Sequence, residues 1–128
     1  MNITIKHAAK DYLAGKFIAG QHLFLALDDG SSKYSQLGGS CAIGNKWQIV
    51  VADAPDADYA LPVVNDAGLD LTTGEEETMY LDNGLVLDYR MGALALRADS
   101  GILDGAVTVS HAQPQTAGVT QAIGAKTC

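Results

Sequence analysis

Residues 22–53 read HLFLALDDGSSKYSQLGGSCAIGNKWQIVVAD. How this stretch divides decides the fold. His22–Asp28 and Lys46–Asp53 are short apolar runs bounded by turn residues, so both read as strands. In the second, Trp47, Ile49 and Val51 alternate onto one face, with Trp47 starting the strand and capping the core. Between them lies a Gly/Ser-rich loop whose Gly38, Gly39 and Gly44 let the chain turn. The loop carries Cys41, one of two cysteines in the chain; the other is Cys128.

Outward from this pair, β signals continue toward the C-terminus. Tyr59–Val64 reads as a strand, with Pro62 favouring an edge position. Leu69–Thr73 alternates. Thr78–Leu81 and Leu85–Tyr89 flank Asp82-Asn83-Gly84, and an Asn-Gly pair suits a tight hairpin. Ala93–Ala98 follows a turn at Met91-Gly92. Asp99–Gly105 reads as a loop before a last strand, Ala106–Ser110.

Toward the N-terminus, Ile3 and Ile5 alternate with polar neighbours as in a short strand. The run HAAKDYLAGKFIAG (7–20) places Ala9, Tyr12, Leu13 and Phe17 on a helical stripe. Thr4 is the candidate N-cap and Gly20 the candidate stop. Gly15 inside that helix costs about 1 kcal/mol relative to Ala. This is the one substantial helix expected. The pattern predicts a mostly β fold: a twisted two-layer sheet, or a distorted and partly open barrel, with one N-terminal α-helix. Residues 1–110 form the domain, and 111–128 form a small, polar, aperiodic tail.

A length of 128 residues fits one domain, with 48% apolar and 18% charged residues as in globular proteins. The net charge of −7 and eight scattered Lys and Arg argue against nucleic acid and against an anionic membrane surface. No apolar run approaches the length of a bilayer span, and MNITIKHAAK is no signal peptide. Two distant cysteines make no disulfide framework. The expectation is an acidic cytoplasmic protein with reduced thiols.

Chemistry is sparsely signalled. A nucleophilic thiol needs a base, and His7, His22 and His111 are the candidates, but none sits in a local signature. His22, at the head of a strand, fits a half-buried structural residue. Asp28, Asp29, Asp53, Asp56 and Asp58 offer carboxylates with no fixed pair, and Glu75-Glu76-Glu77 reads as a solvated turn or strand entrance. The DDGSS run lacks the ligand spacing of a calcium loop. No Cys-x-x-Cys exists to hold zinc or a cluster. The expectation is therefore a protein that is not an enzyme.

Four segments taken together resemble the HesB-like superfamily, which includes the A-type iron–sulphur cluster carriers. They are LFLALDDGSSKYSQLGGSC (23–41), WQIVVAD (47–53), MYLDNGLVLDY (79–89) and LALRADSGILDGAVTV (94–109). The resemblance is closer to a divergent Gram-positive "core domain" branch, and it spans Met1 to about Ser110. It implies a compact β fold with one N-terminal helix, and a link to iron–sulphur assembly. A-type members hold iron or a cluster on three cysteines, one in the loop after an early strand and two in a C-terminal Cys-Gly-Cys. Cys41 occupies the comparable loop. Where the Cys-Gly-Cys would fall, this chain reads SGILDGAVTVSH (100–111).

The resemblance thus implies an accessory or carrier protein with an incomplete ligand set, Cys41 and Cys128 being the metal-ligand candidates. Iron or an iron–sulphur cluster would need ligands from a second chain, which makes a homodimer and iron–sulphur assembly proteins the expected partners. The alternative is a metal-free protein-interaction module on the same scaffold. Cys41 itself has three readings: a structural thiol at a loop-to-strand junction, a ligand in a homodimer, or a redox-active thiol.

Overall fold

The structure is a computed structural model and describes residues 1–28, 34 and 46–112. Nine strands form one mixed sheet: β1 (Asn2–Ile5), β2 (His22–Leu27), β3 (Trp47–Ala52), β4 (Leu61–Pro62), β5 (Val64–Asn65), β6 (Leu71–Thr73), β7 (Leu85–Arg90), β8 (Ala93–Ala98) and β9 (Gly101–His111). Their spatial order is β4-β6-β2-β3-β9-β8-β7-β1-β5. The two ends of this order, β4 and β5, are separated in the chain by Val63 alone. The sheet therefore curls back on itself into a nearly closed barrel, as the alternating strands predict.

Two corners make the closure. At the first, residues 61–65 change partners within one step. Leu61 and Pro62 pair antiparallel with Thr73 and Thr72, whereas Val64 and Asn65 pair parallel with Asn2 and Ile3. Val63 turns inward and is 2% exposed; its N–H donates to the Leu71 carbonyl at 2.9 Å, and that of Val64 to Met1 at 2.8 Å. Pro62 lies on a strand that pairs with β6 alone, so its missing N–H costs no ladder bond there. At the second corner, β9 pairs antiparallel with β8 as far as Val107, then parallel with β3 from Thr108 to His111. Register shifts between β8 and β9 mark the bend, which is how a strand passes from one sheet face to another.

The barrel interior is filled by Ile3, Ile5, Leu23, Leu25, Leu27, Trp47, Ile49, Val51, Val63, Leu85, Leu87, Leu94 and Leu96. These are the alternate residues of their strands, as the side-chain period of two requires. Trp47 begins β3 at 0% exposure, and its indole Nε1 has no hydrogen-bond partner among the described residues. Helix α1 (His7–Ala14) packs on β7 and inserts Ala9 and Leu13 into the core. Tyr12 stacks on Tyr89 with ring centroids 4.3 Å apart.

Several expectations are corrected. The helix stops at Ala14, because Gly15 is its C-cap rather than an interior residue, and Lys6 rather than Thr4 is its N-cap. Gly20, with φ of 91°, belongs to the turn before β2. Thr78–Leu81 is not a strand: Glu75–Thr78 forms a one-turn helix, α2, so the Asn83-Gly84 turn leads from helix to strand instead of closing a hairpin. Gly101–Gly105 is the first half of β9 and no loop. Tyr59–Val64 is split into a 3-10 turn (Ala57–Tyr59), β4 and the start of β5. The Met91-Gly92 turn is as expected, with φ of 55° and 84° at its two central residues.

Candidate functional site

β2 and β3 are buried on both faces. Inside the barrel lie Leu23, Leu25, Leu27, Trp47, Ile49 and Val51; outside lie Phe24, Ala26, Gln48, Val50 and Ala52, none more than 5% exposed. An outer sheet face this dry needs a cover. Tyr59, from the 3-10 turn, stacks on Phe24 at 5.6 Å. Tyr34 adds a second ring, 5.8 Å from Phe24 and 5.4 Å from Tyr59. Ala112, just past β9, packs against the same cluster, and its N–H donates to the Val51 carbonyl at 2.8 Å.

Polar groups on this face are joined in one chain of hydrogen bonds. Gln48 is fully buried; its Nε2 donates to the carbonyls of Leu27 at 3.2 Å and Tyr34 at 2.8 Å. Its Oε1 accepts from Ser110 Oγ at 2.7 Å. The Tyr34 hydroxyl donates to Asp56 Oδ2 at 2.6 Å. A buried amide side chain must be paired, and here the pairing itself fastens residue 34 to the hairpin.

Below this face is the mouth of the β2–β3 hairpin, where residues 29–45 leave and return. Asp28 N–H donates to the Lys46 carbonyl at 2.6 Å. Glu77, on α2 and 3% exposed, accepts the Leu27 N–H at 3.0 Å. Asp104, on β9, accepts the Trp47 N–H at 2.8 Å, the Ala106 N–H at 2.9 Å and Lys46 Nζ at 3.0 Å. Lys46 Nζ also donates to the Ala106 carbonyl. These carboxylates serve as acceptors for backbone donors the sheet leaves unpaired, a role that fixes geometry. Glu75 and Glu76 are exposed as expected; Glu77 is buried, which corrects the solvated reading of the triplet.

Cys41 and Cys128, the predicted metal-ligand candidates, lie outside the described residues. Their nearest described neighbours in the chain, Tyr34 and Ala112, sit on one outer face. Gln48 and Ala52, which mark the two ends of that face on β3, are about 13 Å apart along the strand. Cys41 follows Tyr34 by seven residues, a reach of at most about 24 Å. Cys128 follows Ala112 by sixteen, a longer tether still.

The histidines do not join them. His7 pairs with Asp11 at 3.1 Å on the surface of α1. His22 Nδ1 lies 2.5 Å from Asp70 Oδ2, half-buried as its strand position suggests. His111 Nε2 donates to the Lys16 carbonyl at 3.0 Å. Asp53 accepts from Gln21 at 2.8 Å. Among the described residues no group of three His, Cys, Asp or Glu could hold a metal ion. None of their helices is long and apolar enough to cross a membrane.

Sequence reasoning missed Tyr34, Gln48 and Asp104. One signal was present for Tyr34: it is the only aromatic residue between Asp28 and Lys46.

Comparison with known proteins bears on the same segments. The family model described as iron-sulphur cluster biosynthesis matches residues 1–111. The crystal structure of a candidate Fe-S biosynthesis protein from Lactobacillus acidophilus is 32% identical, with a TM-score of 0.75, over 87% of this chain and 90% of that one. A second, from Lactobacillus salivarius, is 23% identical with a TM-score of 0.70, over 87% and 98%, and shares the fold. No curated protein matches. A model match that runs from Met1 through the end of β9 takes in the whole barrel, and the chain belongs to the iron–sulphur cluster biosynthesis family.

Proposed function

We propose that the protein is a non-enzymatic, cytoplasmic accessory carrier in iron–sulphur cluster assembly, and that iron or a cluster is its cargo, held between two copies of the chain. Family membership supports the pathway. The observation that carries the finer reading is the convergence of Tyr34 and Ala112 on one outer face, since each leads into a segment with one of the two cysteines.

Donor chemistry sets the stoichiometry. Iron–sulphur clusters are held by four thiolates in the common case, and this chain has two cysteines. The three histidines are engaged at separate points of the fold, and the described carboxylates at the hairpin mouth hold backbone amides. One chain falls short of a cage; two chains supply four thiolates through Cys41 and Cys128. Assembly proteins that load or unload the cargo are the partners this role requires.

Anaerobic purification followed by elemental analysis and size separation tests the proposal. Iron and visible-range absorbance should travel with a dimer, and Cys41→Ser should abolish both. Tight stoichiometric iron on a monomer, unaffected by Cys41→Ser, would overturn it. Iron-free protein whose Cys41→Ala variant behaves as wild type would point to the metal-free interaction module instead.

A further inference from the structure

The connection between β2 and β3 is long for a hairpin, running from Asp28 to Lys46. Hairpin loops are commonly two to five residues, so this connection needs something other than its turn to hold it. Tyr34 meets that need from three directions. Its carbonyl accepts from buried Gln48, its hydroxyl donates to Asp56, and its ring packs between Phe24 and Tyr59. The partners belong to β3, to the segment after β3, to β2 and to the 3-10 turn. One side chain is thereby held by four separate stretches of the fold.

We infer that Tyr34 is a positioning residue: by fastening the β2–β3 connection to the outer face of the sheet, it sets the reach of Cys41. The physical basis is chain length. Without the fastening, Cys41 is tethered only at Asp28 and Lys46. With it, the tether on one side shortens from thirteen residues to seven. The Tyr34–Asp56 hydrogen bond is the part of the fastening that can be removed with least disturbance, because Tyr34→Phe keeps the ring. The functional weight of this inference rests on the carrier reading, in which Cys41 meets cargo.

The test is thiol labelling of Cys41 by a neutral maleimide in the Cys128→Ser background, where a single thiol reacts. Tyr34→Phe should raise the labelling rate several-fold. Asp56→Asn should act in the same direction, and the double variant should add little to either, since both remove one hydrogen bond. Tyr12→Phe, which keeps its ring stacked on Tyr89 beside α1, should leave the rate unchanged. Urea unfolding of each variant supplies the second measurement. A rate unchanged by Tyr34→Phe would overturn the inference. So would a rise no larger than the increase in the globally unfolded fraction. Labelling needs no metal, so failure of the iron experiment would leave this result standing, and the reverse holds as well.

Discussion

The barrel closes at two corners built from opposite chemistry. At Val63 the closing contacts are local. Asn65 Oδ1 accepts from Ala67 N at 3.1 Å and Leu69 N at 3.0 Å, and its Nδ2 donates to Val63 O at 3.1 Å and Leu69 O at 2.9 Å. A neutral amide thus ties down a turn within four residues of itself. At the β9 corner a carboxylate, Asp104, binds Trp47 N and Lys46 Nζ from 57 and 58 residues away. The first corner is a locally specified bend that happens to join two sheet edges. The second exists only once distant strands have met. It also lies at the hairpin mouth beside the segment that carries Cys41, so stability and the proposed cargo site share residues there and not at Val63.

If that contrast holds, the largest effect comes from Asp104→Ala. The change leaves the N–H groups of Trp47 and Ala106 without their acceptor and Lys46 without its counter-charge, at a buried position. Urea denaturation should register a loss of about 3 kcal/mol. Asp104→Asn, which keeps one acceptor oxygen, should recover part of it. Equal losses for the two variants would assign the corner to charge alone. Next comes Asn65→Ala, which removes two acceptor and two donor bonds from a part-buried turn with no charge involved. Its cost should be about 1.5 kcal/mol in the same assay. Should Asn65→Ala exceed Asp104→Ala, the ranking of local against long-range closure would be reversed.

What was legible in the sequence follows the same division. β1, β7, β8 and the Met91-Gly92 turn could be read because alternation and turn chemistry act over a few residues. The parallel pairings of β1 with β7, β2 with β6 and β3 with β9 could not, because each joins segments far apart in the chain. The run HLFLALD was read as a strand, but its lack of polar breaks was itself a sign of burial on both faces, which the structure bears out at Phe24 and Ala26. Glu77 was illegible for a different reason. A glutamate in an acidic triplet looks solvated, and only the Leu27 N–H, fifty residues away, explains its burial. At the candidate site the same limit applies. Cys41 could be found by residue type, whereas the outer face that orders its surroundings is assembled from β2, β3, Tyr59 and Ala112 and has no local signature.

The smallest effect sharpens the contrast most. Lys46→Met keeps the aliphatic stem and deletes the charge. Asp104 then still accepts from Trp47 N and Ala106 N, so the carboxylate is not orphaned, and the Ala106 carbonyl loses one donor. Lys46 is also more exposed than its partner, with 28% of its side chain accessible against 8% for Asp104. The pair should therefore be worth about 1 kcal/mol or less, well below the cost of Asp104→Ala. Salt separates the corners further. The penalty of Lys46→Met should shrink as ionic strength rises, because part of it is Coulombic and solvent-facing, while that of Asn65→Ala should stay constant. A Lys46→Met penalty as large as that of Asp104→Ala, and insensitive to salt, would mean that the ion pair rather than the backbone acceptor role holds β9 to β3.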